Sequence, residues 1–151
     1  MKKVFTLAYL LKEDSICLGM KKQSLGKGNW NGYGGKLENN ESIEKATTRE
    51  INEESGVTVQ ESDLEKVAII ESFFKDGKHL EVHTFFTRTW EGVPKETEEM
   101  KPQWFGYNEI PYEKMWADDE FWLPLFLENV KFKGKCVFDD NNYVLEHELK
   151  E

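Results

Sequence analysis

The sequence predicts a single α/β domain of the α+β kind, spanning residues 1–151, with a mixed β-sheet and two main helices. Three observations carry this. Short apolar runs bounded by polar turns recur along the chain, a long polar helical pattern fills residues 42–55, and a strongly apolar one fills residues 118–130. A chain of 151 residues with 20 aromatic side chains can bury a full core without disulfides or a structural metal.

The elements follow in order. Residues 4–11 and 16–20 are apolar runs joined by Lys12-Glu13-Asp14-Ser15, the pattern of a hairpin. The two lysines and apolar stretch at the start mimic a secretory leader, but the charged turn ends that stretch too soon, and a first strand fits better. From Ser24 to Gly35 the chain holds Gly26, Gly28, Gly32, Gly34 and Gly35 among Asn29, Trp30, Asn31 and Tyr33, which predicts a loop whose backbone passes close to something, a ligand being one candidate. Residues 42–55 form a helix with a sparse stripe of Ile43, Ala46 and Ile51, stopped by Gly56. Residues 64–74 and 80–90 are strands around the turn Lys75-Asp76-Gly77-Lys78, and 103–107 a shorter one. The helix of residues 118–130 opens on two acids and tolerates Pro124 in its early turns, and strands 131–138 and 143–148 close the chain.

Composition narrows the function. With 20 Lys+Arg against 29 Asp+Glu the net charge is −9, which argues against binding long nucleic acid through its phosphates. An acidic protein meets a phosphorylated ligand through a divalent cation held by carboxylates. Cys17 and Cys136 fall in strands without metal-site or disulfide spacing, so both are expected to be reduced, partly buried thiols. No apolar run is long enough for a membrane span, and the expected compartment is the cytoplasm. No heptad repeat is visible, and a monomer is expected.

The chemistry concentrates between Gly35 and Val57. Glu50, Glu53 and Glu54 stand at i, i+3 and i+4, so a helix puts three carboxylates on one face, close to its negative C-terminal end. Taken alone, such a run reads equally as a solvated surface. Together with Gly35, Glu41, Arg49, Ile51, Gly56 and Val57 it makes the register G-x(5)-E-x(7)-R-E-U-x-E-E-x-G-U, where U is aliphatic.

This register resembles the complete signature of the MutT/Nudix hydrolase superfamily. The resemblance implies a Nudix fold, an α/β/α sandwich around a mixed sheet, and hydrolysis of nucleoside diphosphates linked to another group. It implies Glu50, Glu53 and Glu54 as Mg²⁺ ligands, with Mn²⁺ as a substitute, the Gly35 carbonyl as a further ligand, Arg49 orienting the carboxylates, and Lys36 near the phosphates. Metal ions would then neutralise the polyphosphate and acidify the attacking water. Glu41 is expected to support the junction before the helix, or equally to cap its N-terminus.

Outside that register, Gly19-Met20-Lys21-Lys22, Trp30-Asn31-Gly32-Tyr33-Gly34-Gly35-Lys36, Glu99-Met100-Lys101-Pro102 and Met115-Trp116-Ala117-Asp118-Asp119 resemble the mammalian-type 8-oxo-dGTP diphosphatases, which act on oxidised purine nucleoside triphosphates. The likeness implies a small-molecule nucleotide substrate, possible in more than one oxidised form such as 8-oxo-dGTP and 2-hydroxy-dATP, cut to monophosphate and pyrophosphate. It assigns Asn31, Asp118 and Asp119 to hydrogen bonds with the base, Trp116 to stacking, Thr6 and Met100 to the same pocket, Lys21 to phosphate and Glu99 to the metals. Two adjacent aspartates in a poorly solvated pocket need not both ionise, so one can donate a proton. Helix capping for Asp118-Asp119, and core packing for Met100 and Trp104, account for the same residues locally. Leu25, Leu80 and Ala117 depart from the pattern of that group, which implies a pocket of altered shape. Other nucleoside diphosphate derivatives, or binding without turnover, are the competing functions. His79 and His83 have the spacing of zinc-protease ligands but lie in an expected strand, and the glycine loop lacks P-loop spacing, so neither motif is assigned.

Overall fold

The computed structural model describes residues 2–23 and 27–151. The expectations for Ser24, Leu25 and Gly26 lie outside the described residues. Among the rest the element order is β1 (Lys2–Lys12), β2 (Ser15–Lys21), β3 (Trp30–Asn31), β4 (Tyr33–Lys36), α1 (Ile43–Ser55), β5 (Glu65–Phe73), β6 (His79–Thr87), β7 (Met100–Gly106), α2 (Asp119–Leu127), β8 (Phe132–Phe138) and β9 (Val144–Lys150).

The strands form one mixed sheet in the order β3-β2-β1-β6-β5-β8-β9, with β4 also paired to β1 and β7 to β2. β1 runs parallel to β6, and β5 parallel to β8, while the hairpins β1–β2, β5–β6 and β8–β9 are antiparallel. Strand alternation divides the core between two faces. Ala8, Leu10 and Cys17 pack with Ile51 of α1, whereas Tyr9, Leu11, Ile16 and Leu18 pack with Trp122, Leu123 and Phe126 of α2. The sheet is thus covered by one helix on each side. Cys17 and Cys136 are buried free thiols, and burial pushes Cys136 up to about 12.

α1 begins where Ser42 accepts a hydrogen bond from the Lys45 amide and ends where Gly56 turns left-handed at φ 78°. α2 is shorter than the apolar pattern suggests. Asn129 adopts φ 62°, which breaks the helical path before Val130, and Pro124 stands in the second turn.

The glycine segment is a correction. It was expected as a loop, but Trp30–Asn31 and Tyr33–Lys36 are strands, and Gly34 and Gly35 are needed for close approach rather than for unusual dihedrals. A Cβ on Gly34 would collide with the Thr6 carbonyl and come within 2.8 Å of Leu7 Cα; one on Gly35 would fall 2.6 Å from Glu50 Oε1. The backbone of β4 is therefore pressed between β1 and α1. Gly34→Ala is expected to destabilise the fold by about 1–3 kcal/mol, because the obstacle is backbone that cannot move aside cheaply. Urea unfolding of the variant checks this.

Candidate active site

The C-terminal half of α1 presents Glu50 and Glu54 toward β4, with Glu53 on its exposed side, and their environments differ. Glu54 is 5% exposed, and its Oε1 accepts the Gly34 amide at 2.8 Å. Burial pushes its carboxyl up to about 8 against that hydrogen bond, with the charges of Glu50 and Glu99 adding to the rise. Glu50 is also raised, first by burial, while Arg49 opposes the shift. Glu53 is half exposed and meets Arg49 at 3.2 Å.

Arg49 ties the face together. Its Nε and second terminal nitrogen donate to the two oxygens of Glu41 at 2.6 and 2.9 Å, and its remaining nitrogen donates to Glu50 at 3.0 Å. It also reaches the Lys36 carbonyl at 3.4 Å. Glu41 in turn accepts the Glu38 amide at 2.9 Å, and the guanidinium holds its carboxyl down to about 2. Glu41 thus braces the turn before α1, while Ser42 is the cap.

A divalent cation fits the chemistry of this end. The donors are all oxygen, the Glu50 carboxylate lies against the Gly35 backbone, and the partly buried Glu50 and buried Glu54 carboxylates are held near each other at a cost that a cation would relieve. Among the described residues, however, no three carboxylate, histidine or cysteine groups converge into a ready metal cage. Arg49 draws Glu50 and Glu53, and Gly34 holds Glu54.

A cavity of about 630 Å³ joins this end to the α2 face of the sheet. Lys21, Asn31, Gly34, Gly35 and Glu54 line one part of it, and Trp116, Asp118 and Asp119 another. Phe74 and Phe138 stack at 4.7 Å, and Trp116 stands edge-on to both, with ring centroids 6.3 and 6.2 Å away. Asp118 accepts the Trp122 indole N–H at 3.0 Å and makes no side-chain cap to α2. Asp119 is buried and its Oδ2 has no partner. Burial raises both carboxyls, and Asp118 adds to the rise at Asp119.

A buried aspartate with a raised folded-state value holds a proton that the unfolded chain releases. Stability therefore falls as pH climbs from about 4 through that raised value. Asp119→Asn is expected to match the parent at pH 4 and exceed it by about 1–3 kcal/mol at pH 8, since the buried carboxylate is gone. Urea midpoints at the two pH values check the difference.

Two expected pocket residues are placed otherwise. Met100 is 1% exposed and packs in the α1-side core with Leu10, Cys17 and Tyr33, away from the cavity lining, because the first residue of β7 turns toward that face. Thr6 lines the cavity, but strand alternation turns its hydroxyl to Thr47 of α1, to which it is hydrogen-bonded. Glu99 is exposed, and its charge reaches Glu50 and Glu54. Lys36 is exposed and outside the cavity lining. Leu80 lines the cavity. His79 and His83 lie on β6 and pair with Glu71 and Glu81 at 2.7 Å each.

The sequence reading missed Tyr9, Ser72, Phe74, Thr84 and Phe138, all of which line the cavity. Alternation within each strand carried part of the signal. What joined them was the parallel pairing of Leu7 with Thr84 and of Ser72 with Cys136, which no local pattern reveals.

The chain belongs to the Nudix family, whose NUDIX domain description matches residues 1–126. It is 42% identical to the oxidized purine nucleoside triphosphate hydrolase of Danio rerio over 99% of this chain and 95% of that one. The protein of the same name from Mus musculus is 41% identical over the same shares. Among solved structures, a MutT protein from Bacillus halodurans superposes with a TM-score of 0.85 at 27% identity, covering 98% of this chain and 97% of that one.

Proposed function

We propose that this enzyme hydrolyses oxidised purine nucleoside triphosphates, 8-oxo-dGTP foremost, to the nucleoside monophosphate and pyrophosphate, so removing mutagenic precursors from the nucleotide pool. The observation that carries the reading is a cavity lined both by Glu54, Gly34 and Lys21 and by Trp116, Asp118 and Asp119. A triphosphate placed toward the carboxylates leaves its base among aromatic and carboxyl groups. Relatives named for this activity match over nearly their whole length, which supports the same assignment.

Glu50, Glu53 and Glu54, with the Gly35 carbonyl and Glu99, would hold Mg²⁺ or Mn²⁺. When bound, the metal supplies charge neutralisation and a more acidic water. Arg49 orients Glu50 and Glu53, and Lys21 and Lys36 attract the phosphates. The Gly34 amide fixes the rotamer of Glu54. Trp116 offers a stacking face, Asn31 offers both a donor and an acceptor, and a protonated member of the Asp118–Asp119 pair donates to a carbonyl on the base.

The proposed enzyme is a cytoplasmic monomer acting on a free nucleotide, without long nucleic acid or membrane as partner. Among the described residues no helix is long and apolar enough to cross a membrane. Steady-state hydrolysis of 8-oxo-dGTP, 2-hydroxy-dATP, the four ordinary dNTPs and ADP-ribose, with products resolved by chromatography, tests the assignment. The oxidised purines are expected to be the preferred substrates and to yield pyrophosphate. Preference for ADP-ribose or for ordinary dNTPs would overturn it.

A further inference from the structure

Four buried side-chain polar atoms among the described residues have no hydrogen-bond partner, and three of them belong to residues that line the cavity of about 630 Å³: the Tyr9 hydroxyl, Thr84 Oγ1 and Asp119 Oδ2. Buried polar groups are ordinarily satisfied, so unpaired ones grouped on a cavity wall point to a partner that enters from the cavity. Tyr9 is the most constrained of the three. It is 1% exposed, its ring lies 6.3 Å from that of Phe126, and its Cε1 would be 2.8 Å from a Cβ on Gly32. The absent side chain at position 32 is what admits the ring beside Asn31, and the packing fixes where the hydroxyl points. Burial and the charges of Asp119 and Asp118 act against ionisation of that hydroxyl, which therefore stays protonated and able to donate.

We propose that Tyr9 is a further specificity-determining residue, whose hydroxyl, fixed between Gly32 and Phe126, hydrogen-bonds the purine base beside Asp119. The inference rests on the proposed purine substrate and adds a contact to the Asn31, Asp118 and Asp119 set. A phenol can both donate and accept, so it satisfies an N–H or a carbonyl on the base edge. Without ligand the hydroxyl is an unpaired buried group; with ligand it is paired. A position that served packing alone would gain nothing from the hydroxyl.

The test is Tyr9→Phe, which keeps the ring and removes one oxygen. Calorimetric titration with 8-oxo-dGMP is expected to show affinity weakened by about fivefold to thirtyfold. KM for 8-oxo-dGTP should rise with it, kcat should stay within about threefold, and the melting temperature should hold or increase because an unpaired buried phenol has been removed. Affinity and KM within twofold of the parent would overturn the inference while leaving the substrate assignment intact. A lowered melting temperature with unchanged KM would make Tyr9 a packing residue only. Failure of the parent itself to bind 8-oxo-dGMP or cleave 8-oxo-dGTP would overturn the substrate assignment and this inference with it.

Discussion

Glu54→Gln is expected to lower kcat for 8-oxo-dGTP by about 10³-fold or more, the scale of losing a group that acts on the reacting atoms, with little change in KM. The substitution separates chemistry from folding. The amide oxygen of glutamine can still accept the Gly34 N–H that Glu54 accepts at 2.8 Å, so the contact between α1 and β4 survives. A buried carboxyl pushed up to about 8 is removed at the same time. The variant should therefore be at least as stable as the parent near pH 7, because its unfolded chain no longer gains by ionising a carboxyl that the fold keeps protonated. What it loses is a carboxylate oxygen beside Glu50 that a bound cation would hold ionised. Pyrophosphate release and thermal unfolding, measured on the same preparation, check both halves. Turnover within tenfold of the parent would remove Glu54 from the reaction centre.

Asp119→Ala is expected to raise KM for 8-oxo-dGTP by about 10- to 100-fold and to bring the oxidised and ordinary bases close to equality. Its effect should be distinguishable from that of the neighbouring stacking face. Removing Trp116 takes away a surface that every base can use, so it should weaken all purine nucleotides alike, by about 1–3 kcal/mol. Removing Asp119 takes away a buried group whose Oδ2 has no protein partner and whose proton is retained well above the ordinary aspartate range. Only a base that presents a matching acceptor or donor gains from that group. Ratios of kcat/KM for 8-oxo-dGTP and dGTP, in the parent and in each variant, separate reading of the base from simple stacking.

The carboxylate face of the candidate site was legible because it is local. Glu50, Glu53 and Glu54 share a helix face by spacing alone, Ser42 and Gly56 mark the ends of that helix, and Arg49 lies one turn before Glu53. The strand pattern of β1, β2, β5 and β6 was equally readable, with boundaries displaced by one to three residues. Gly34 and Gly35 announced a close approach, but what approaches is the protein itself, the Thr6 carbonyl and the Glu50 carboxylate. The pocket was legible only through resemblance, which could not say that Thr6 lines the cavity while Met100 packs into the core. Met100 and Thr6 share a face with the α1-side core by strand alternation, which depends on register across strands far apart in sequence. Tyr9 looked like one more apolar strand residue. Its value as a polar group emerges only when Phe126 of α2 and the bare backbone at Gly32 pack on its ring.

In the proposed enzyme one cavity couples carboxylate chemistry to recognition of an oxidised purine. Pyrophosphate release from 8-oxo-dGTP and dGTP, measured side by side with Mg²⁺ at equal enzyme concentration, tests it most directly. The expected result is a kcat/KM at least about tenfold higher for the oxidised base, the discrimination that one well-placed hydrogen bond to a buried group supplies. Equal rates on both would keep the hydrolytic chemistry and contradict the purine pocket, and no release from either would contradict the coupling altogether.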